Sequence, residues 1–240
     1  MKIGIDSTTD FREGVILLVD KPYGWTSFNV VSKIKSLLRQ NLGLRGIKIG
    51  HAGTLDPLAT GLLVICVGKA TKLVETYIKD DKEYIASFYL GRTTPSFDME
   101  TQMDKEYPSN HITEELVRKT AASFLGDQDQ IPPLYSAKSI QGKRAYKFAR
   151  KGVDMELAPV KIKIHEMEVL KFELPTVTLR IKCSKGTYIR AIARDFGKAM
   201  NSGAYLSELK RTGSGVFKIS EAMELEKIEN IFKEMKQVEN

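Results

Sequence analysis

Cysteine, histidine and long apolar runs are all scarce in this 240-residue chain, and each shortage closes a class of function. The two cysteines, Cys66 and Cys183, stand apart among apolar or small neighbours. That pattern excludes a disulfide framework and a cysteine-based metal site, and reads as buried thiols of a reducing, cytoplasmic compartment. The three histidines, His51, His111 and His165, have no paired spacing, so no metal centre is expected. The longest unbroken apolar run, Leu62–Val67, is six residues, whereas a bilayer-spanning helix needs about 20. Met1–Gly14 carries no apolar stretch resembling a secretory leader, so membrane and secreted classes fall away. Repeats, low-complexity tracts and Gly/Ser linkers are also missing, which predicts one continuous globular domain over residues 1–240.

What the chain does have is apolar content for a core, 42% of residues, and an uneven charge. The formal net charge is +7, but residues 136–218 alone carry +11 and the remainder −4. A concentrated positive field recruits polyanions by releasing their counterions, which favours a nucleic-acid partner.

Local patterns predict an α+β fold around a mixed, mostly antiparallel sheet. Gly14–Asp20 is a short apolar strand stopped by Lys21-Pro22-Tyr23-Gly24. Thr26 or Ser27 caps a helix with Phe28, Val31, Ile34 and Leu38 at helical spacing. A second helix begins at Thr113, with Glu114 and Glu115 at its positive end and Leu116, Thr120, Ala121 and Phe124 on one side. Further helices are expected over Ala145–Lys151 and from Thr187 to about Met200. Strands are expected at Tyr84–Leu90, Val160–Leu170, Val177–Cys183 and Tyr205–Arg211. Helices and strands do not alternate strictly, which argues against a doubly wound sheet.

Two clusters are equipped for chemistry. In His51-Ala-Gly-Thr-Leu-Asp56-Pro57-Leu-Ala-Thr60-Gly61, a polar loop runs straight into the apolar Leu62–Val67. Gly53 and Gly61 permit unusual dihedrals, Pro57 stiffens the chain, and Asp56 offers a carboxylate able to serve as nucleophile or base. Asp-Pro is also a common turn starter, so composition alone leaves Asp56 open between the two roles. In Cys183-Ser-Lys-Gly-Thr-Tyr188-Ile-Arg190, a strand end turns at Gly186 into a helix, a geometry expected to aim Lys185, Tyr188 and Arg190 outward. A third stretch, Gln130-Ile-Pro-Pro-Leu-Tyr-Ser136 with Gly142-Lys-Arg-Ala-Tyr146, reads either as a track for a phosphate backbone or as a solvated loop and helix.

Taken together these segments resemble the TruB-type tRNA pseudouridine(55) synthases, over nearly the whole chain from Gly14. Asp20-Lys-Pro-Tyr-Gly-Trp-Thr-Ser27 is similar to the family's first motif, the 51–61 loop to its catalytic motif and Ser184–Arg190 to the motif bearing its arginine. The resemblance implies isomerisation of a uridine in the T-arm loop of tRNA, with Asp56 as the essential carboxylate and Arg190 as its partner. It implies Tyr84, in Lys82-Glu-Tyr-Ile, as the aromatic under the target base, and His51, Tyr188 and Leu209 as substrate contacts. It further implies an active-site cleft, base flipping, no cofactor, no metal and a monomer whose partner is the T-arm of tRNA. Three departures stand out. Thr93-Thr-Pro-Ser-Phe-Asp98 replaces a Thr-Asp-Thr-type sequence, Lys138 sits one place early, and the chain ends after an amphipathic helix with Met223, Ile228, Phe232 and Met235. That ending leads us to expect no separate C-terminal RNA-binding domain.

Pseudouridylation breaks the N1–C1′ bond, turns the uracil and joins C5 to C1′. The sequence leaves open whether the carboxylate attacks the sugar, attacks the base or removes a sugar proton. The rival reading is a non-catalytic tRNA chaperone or assembly factor using the same basic face. A weaker rival is a synthase acting on another RNA.

Overall fold

The computed structural model describes residues 2–6, 8–135, 139–140, 143–144 and 157–238. The helix expected over Ala145–Lys151, the segment Gly142–Tyr146 in large part, Ser136 and Lys138 therefore lie outside the described residues. The chain divides into two compact units, Met1–Glu83 with Lys210–Asn240, and Tyr84–Leu209.

In the first unit, strand β1 (Val15–Lys21) runs antiparallel to the strand that follows the polar loop, Thr60–Val67, in register from Val15↔Val67 to Lys21↔Gly61. Both strands are buried along almost their whole length, which is why they read as unbroken apolar runs rather than alternating ones. Helix α1 (Ser27–Leu42) starts where Thr26 and Asn29 form a reciprocal capping box, and stops at Gly43 in the left-handed region. Its buried face is Ser27, Val30, Ile34, Leu37 and Leu38. The expected stripe is thus displaced: Phe28 is 71% exposed and Val31 only half-buried. The side next to Ser27 continues apolar through Ile34, Leu37 and Leu38, whereas that of Phe28 and Val31 runs into Lys35 and Arg39; the Ser27 hydroxyl, tied to the polar loop as described below, anchors the buried side. The short strand β2 (Ile49–His51) pairs antiparallel with the outer half of Thr60–Val67, here β3. The last helix, Leu225–Val238, buries Ile228, Phe232 and Met235, while Met223 lies before it in a two-residue strand parallel to β1. Phe232 stacks on Phe11 at 5.2 Å between ring centres, and Lys33 of α1 pairs with Glu229 at 2.5 Å.

Strand β4 (Lys82–Leu90) leads into the second unit. There helix α2 (Glu114–Ser123) is capped by Thr113 and followed by strand β5 (Gly126–Gln130). Strands β6 (Val160–Glu173) and β7 (Thr176–Cys183) form a long antiparallel hairpin, and β5 pairs antiparallel with β6. β7 alternates half-buried and buried residues, so one face carries the core. Helix α3 (Ile189–Ala199) packs with α2 on the core: Phe196 lies 5.6 Å from Phe88 and 5.7 Å from Phe124. Strand β8 (Ala204–Ser214) returns to the first unit, where its Lys210 and Arg211 pair in parallel with Thr60 and Gly61. A mixed sheet with flanking helices is therefore the architecture, as expected.

Phe11 and Phe232 are 1% and 0% exposed. Replacing Phe232 with alanine is expected to cost about 3–5 kcal/mol of stability through lost burial and a residual cavity, measured by urea unfolding.

Candidate active site

The 51–61 loop is fastened at alternate carbonyls by side chains that come from distant parts of the first unit. Arg211, 1% exposed, donates to Gly53 O at 3.1 Å and, through Nε, to Leu62 O at 2.6 Å. The Ser27 hydroxyl donates to Leu55 O at 3.2 Å and accepts from the Leu55 amide at 2.9 Å. Lys21, with no exposed surface, donates to Pro57 O at 3.3 Å, Pro22 O at 3.0 Å and Trp25 O at 2.6 Å. The Gly24 amide adds a second donor to Pro57 O at 2.9 Å. Ala52, Leu55 and Ala59 are buried, and Asp56 between them is left half-exposed on a main chain that has little freedom to move.

Glycine is required at Gly61, where φ is +97° and a Cβ would stand 2.3 Å from Arg211 O. Gly53, at φ +98°, lets the backbone approach Arg211 and Lys82. Lys82 is itself buried and donates to Tyr77 O at 2.9 Å and Asp80 O at 2.7 Å.

The electrostatics of the loop follow from these buried cations. Burial draws the Lys21 ammonium down to about 8; the negative charge of Asp56 resists the shift and the positive charge of Arg211 adds to it. His51 also falls below its ordinary value, first through burial and then through Arg211. The Cys66 thiol rises to about 11 through burial, which fits an inert core thiol.

In the second unit Arg190 is 4% exposed and does not point outward as the sequence suggested. Its Nε faces Asp98 Oδ2 at 3.6 Å, and its other nitrogens donate to Ser96 O at 3.3 Å and Tyr135 O at 2.8 Å. A guanidinium one residue inside a helix cannot reach solvent when the helix face it occupies is the packed one. Only Lys185 of the expected trio is exposed, and Tyr188 is half-buried. The helix begins at Ile189 rather than Thr187 because buried Gln130 holds Tyr188 extended, accepting from its amide at 2.8 Å and donating to its carbonyl at 3.1 Å. Segment 130–135 thus serves helix α3. Tyr84 is 7% exposed on β4, and Leu209 is half-buried on β8.

Sequence reasoning met Asp98 only as the end of a segment departing from the family pattern; its carboxylate accepts from the Ser96 hydroxyl at 2.6 Å and the Glu100 amide at 2.9 Å. That reasoning passed over Lys21, Gln130 and Arg211. The one signal available for the cations was a charged residue flanked by strand-like apolar residues, as Lys21 follows Val15–Val19.

Residues 39–189 match the N-terminal domain of the TruB family pseudouridylate synthases, and residues 190–240 match the tRNA pseudouridylate synthase B C-terminal domain. The chain belongs to the TruB family. It is therefore a pseudouridine synthase, an isomerase. Among similar proteins, the tRNA pseudouridine synthase B of Phocaeicola vulgatus is 52% identical over 217 residues, covering 90% of this chain and 92% of that protein. That of Flavobacterium johnsoniae is 49% identical, covering 90% and 95%. Among solved structures, a chain of a Cbf5-Nop10-Gar1 complex superposes with a TM-score of 0.74 at 28% identity over 99% of this chain. This TruB-family chain spans 61% of that longer one. No group of three or more metal-ligating side chains occurs among the described residues, and no described helix is long and apolar enough to cross a membrane.

The charge of this synthase is also arranged differently from its sequence average. Within 136–218, Lys161, Lys171, Arg180, Lys182, Arg190 and Arg194 are ion-paired with carboxylates. By contrast Lys35, Arg39, Arg45 and Lys48 line a groove of about 970 Å³ beside Phe28 and Val31 in the first unit. The stretch from Lys21 to Leu55 contains no Asp or Glu at all.

The lowered His51 generates a pH prediction. Below its ordinary value of 6.5 the unfolded chain takes up a proton that the folded chain resists, so the contribution of His51 to stability falls as pH falls. His51→Gln is expected to shrink the loss of unfolding midpoint between about pH 7.5 and about pH 5.5, followed by thermal denaturation in both buffers.

Proposed function

We propose that this protein isomerises uridine 55 in the T-arm loop of tRNA to pseudouridine, with Asp56 as the essential carboxylate. The observation that carries the reading is the fastening of the 51–61 loop, which presents one half-exposed carboxylate at a fixed place between buried Ala52, Leu55 and Ala59. Pre-positioning of that kind serves a group that must meet a reacting carbon in one geometry. A turn needs none of it. tRNA is the substrate class in the names of relatives at 45–52% identity across about nine tenths of this chain, and similarity to them supports the same class here.

Within this reading the target uridine is flipped from the loop before Asp56 reaches it. Arg190 is the cation that partners the catalytic carboxylate, and Tyr84 gives the detached uracil an aromatic face while it turns. His51, Tyr188 and Leu209 contact the substrate. The reaction consumes no cosubstrate and calls for no cofactor. Residues 1–240 act as one catalytic domain, as a monomer in the cytoplasm, a compartment consistent with two buried free thiols.

Asp56→Asn is expected to abolish pseudouridine formation on unmodified tRNA while binding and the unfolding midpoint stay near wild type. Position-resolved mapping of pseudouridine reads the first, and filter binding the second. Normal turnover by Asp56→Asn would overturn the assignment, and product at another position would overturn the substrate.

The cations of the groove, which form no ion pair among the described residues, generate a separate expectation. Replacing Lys35, Arg39 and Arg45 together by glutamine should flatten the log–log salt dependence of RNA binding by about 2, at about 0.7 per neutralised phosphate. Equal slopes for the two proteins would assign the groove to solubility.

A further inference from the structure

The turn that carries Asp98 contains the most unfavourable backbone position among the described residues of the second unit. Phe97 has φ +62°, a left-handed conformation in which a Cβ crowds the following carbonyl. Such a residue persists only where its surroundings hold it. Its amide donates to Thr94 O at 3.1 Å and its carbonyl accepts from the Leu206 amide at 2.9 Å. The Thr94 hydroxyl donates to Asp98 O at 2.6 Å, closing the turn from the other side. Those bonds fix the main chain but leave the Phe97 ring to be placed by something else.

Arg194 places it. Its guanidinium carbon lies 4.9 Å from the centre of the Phe97 ring. The edges of the same guanidinium are already used: Nε and an Nη donate to the two oxygens of Asp195 at 2.7 and 2.8 Å, and that Nη also donates to Ile131 O at 3.1 Å. Its planar face is what remains for the ring, and a face-on cation is attracted by the ring's electron-rich side. The Arg194 side chain is only 12% exposed, so the contact is poorly screened.

Arg190 and Arg194 are four residues apart on helix α3, one turn on the same face. One helix therefore grips the turn at consecutive residues: Arg190 holds Ser96 O and the Asp98 carboxylate, and Arg194 holds the Phe97 ring. We infer that Phe97 and Arg194 form a positioning pair that holds the turn in its left-handed shape and so aims Asp98 at Arg190. Neither residue needs to touch substrate. Were Phe97 to relax to negative φ, the direction in which the chain enters Asp98 would change, and the carboxylate would leave the guanidinium it orients. This inference rests on the reading of Arg190 as a catalytic residue.

The test is single-turnover pseudouridylation of unmodified tRNA by the full chain, with RNA affinity measured in parallel. Arg194→Lys keeps the charge and loses the plane, and Phe97→Asn tolerates positive φ but loses the ring. Each is expected to slow the single-turnover rate about tenfold with affinity within about twofold of wild type, and the double variant to be no slower than the slower single one, as for two residues acting as a unit. Phe97→Tyr, which keeps the ring, should restore the wild-type rate, whereas a bare fold requirement would not discriminate tyrosine from asparagine by rate at equal unfolding midpoint. Wild-type rates in both single variants, or losses that multiply in the double, would overturn the inference. Arg190→Lys is run beside them. If it is fully active, the reading of Arg190 has failed; if it is inactive while Arg194→Lys and Phe97→Asn are not, only the positioning pair has failed.

Discussion

Buried cations that spend their charge on main-chain carbonyls are what the candidate site depends on. Lys21, Lys82 and Arg211 in the first unit, and Arg190 in the second, are each at most 6% exposed. Taking an ammonium or guanidinium out of water costs several kcal/mol unless its donors are satisfied. Each of these cations meets two or three oxygens, most of them carbonyls of loops that have no regular secondary structure to bond with. The exchange is mutual: the loops lend acceptors to charges that could not otherwise be buried, and the charges hold loops that could not otherwise be rigid. Exposed ion pairs elsewhere on the surface, such as Lys69 with Glu13, contribute little by comparison.

This arrangement gives the synthase a particular division of labour. The core is made by apolar strands and by four described helices that each lay one stripe against them, and it tolerates the usual chemistry of packing. The polar loop is held by individual hydrogen bonds, so its geometry is sensitive to single atoms. A charge-preserving replacement at Arg211 or Lys21 would still lose the reach or the fork that meets those carbonyls. Rigidity there suits the reading in which the half-exposed Asp56 carboxylate is held in one place.

The positive field is also a tertiary property. A net of +11 over residues 136–218 suggested a binding surface there, and among its described cations Lys171, Arg180, Lys182 and Arg194 each have a carboxylate partner, across a strand pair or one to two residues away. The cations of the groove beside α1 belong to a stretch whose total is smaller but which holds no acidic residue of its own; Lys33 pairs with Glu229, and Glu75 lines the same groove. Counting charges along the chain weighs all of them equally, whereas a nearby carboxylate weakens the field that a paired cation presents to a polyanion.

How much was legible beforehand depended on range. Apolar runs, the caps at Thr26 and Thr113, and the polar loop abutting Leu62–Val67 are local signals, and the strands, helix starts and the position of Asp56 followed from them. The side of α1 that faces the core was only partly legible: Phe28 and Val31 are as apolar as Val30 and Ile34, but their side runs into Lys35 and Arg39 where the buried one continues to Leu37, and the bond from Ser27 to Leu55 anchors it. The inward turn of Arg190, the start of its helix at Ile189, and the roles of Lys21, Gln130, Asp98 and Arg211 were hidden, since their partners lie as far as 158 residues away along the chain. The sequence by itself determined the mixed α+β architecture through periodicity, and its motifs carried the resemblance to the TruB family that singled out Asp56 as the candidate carboxylate, because both are properties of neighbouring residues. Only the tertiary structure decided which charges are buried and which carbonyls they hold, because burial is a property of what packs around a group and no local pattern records it.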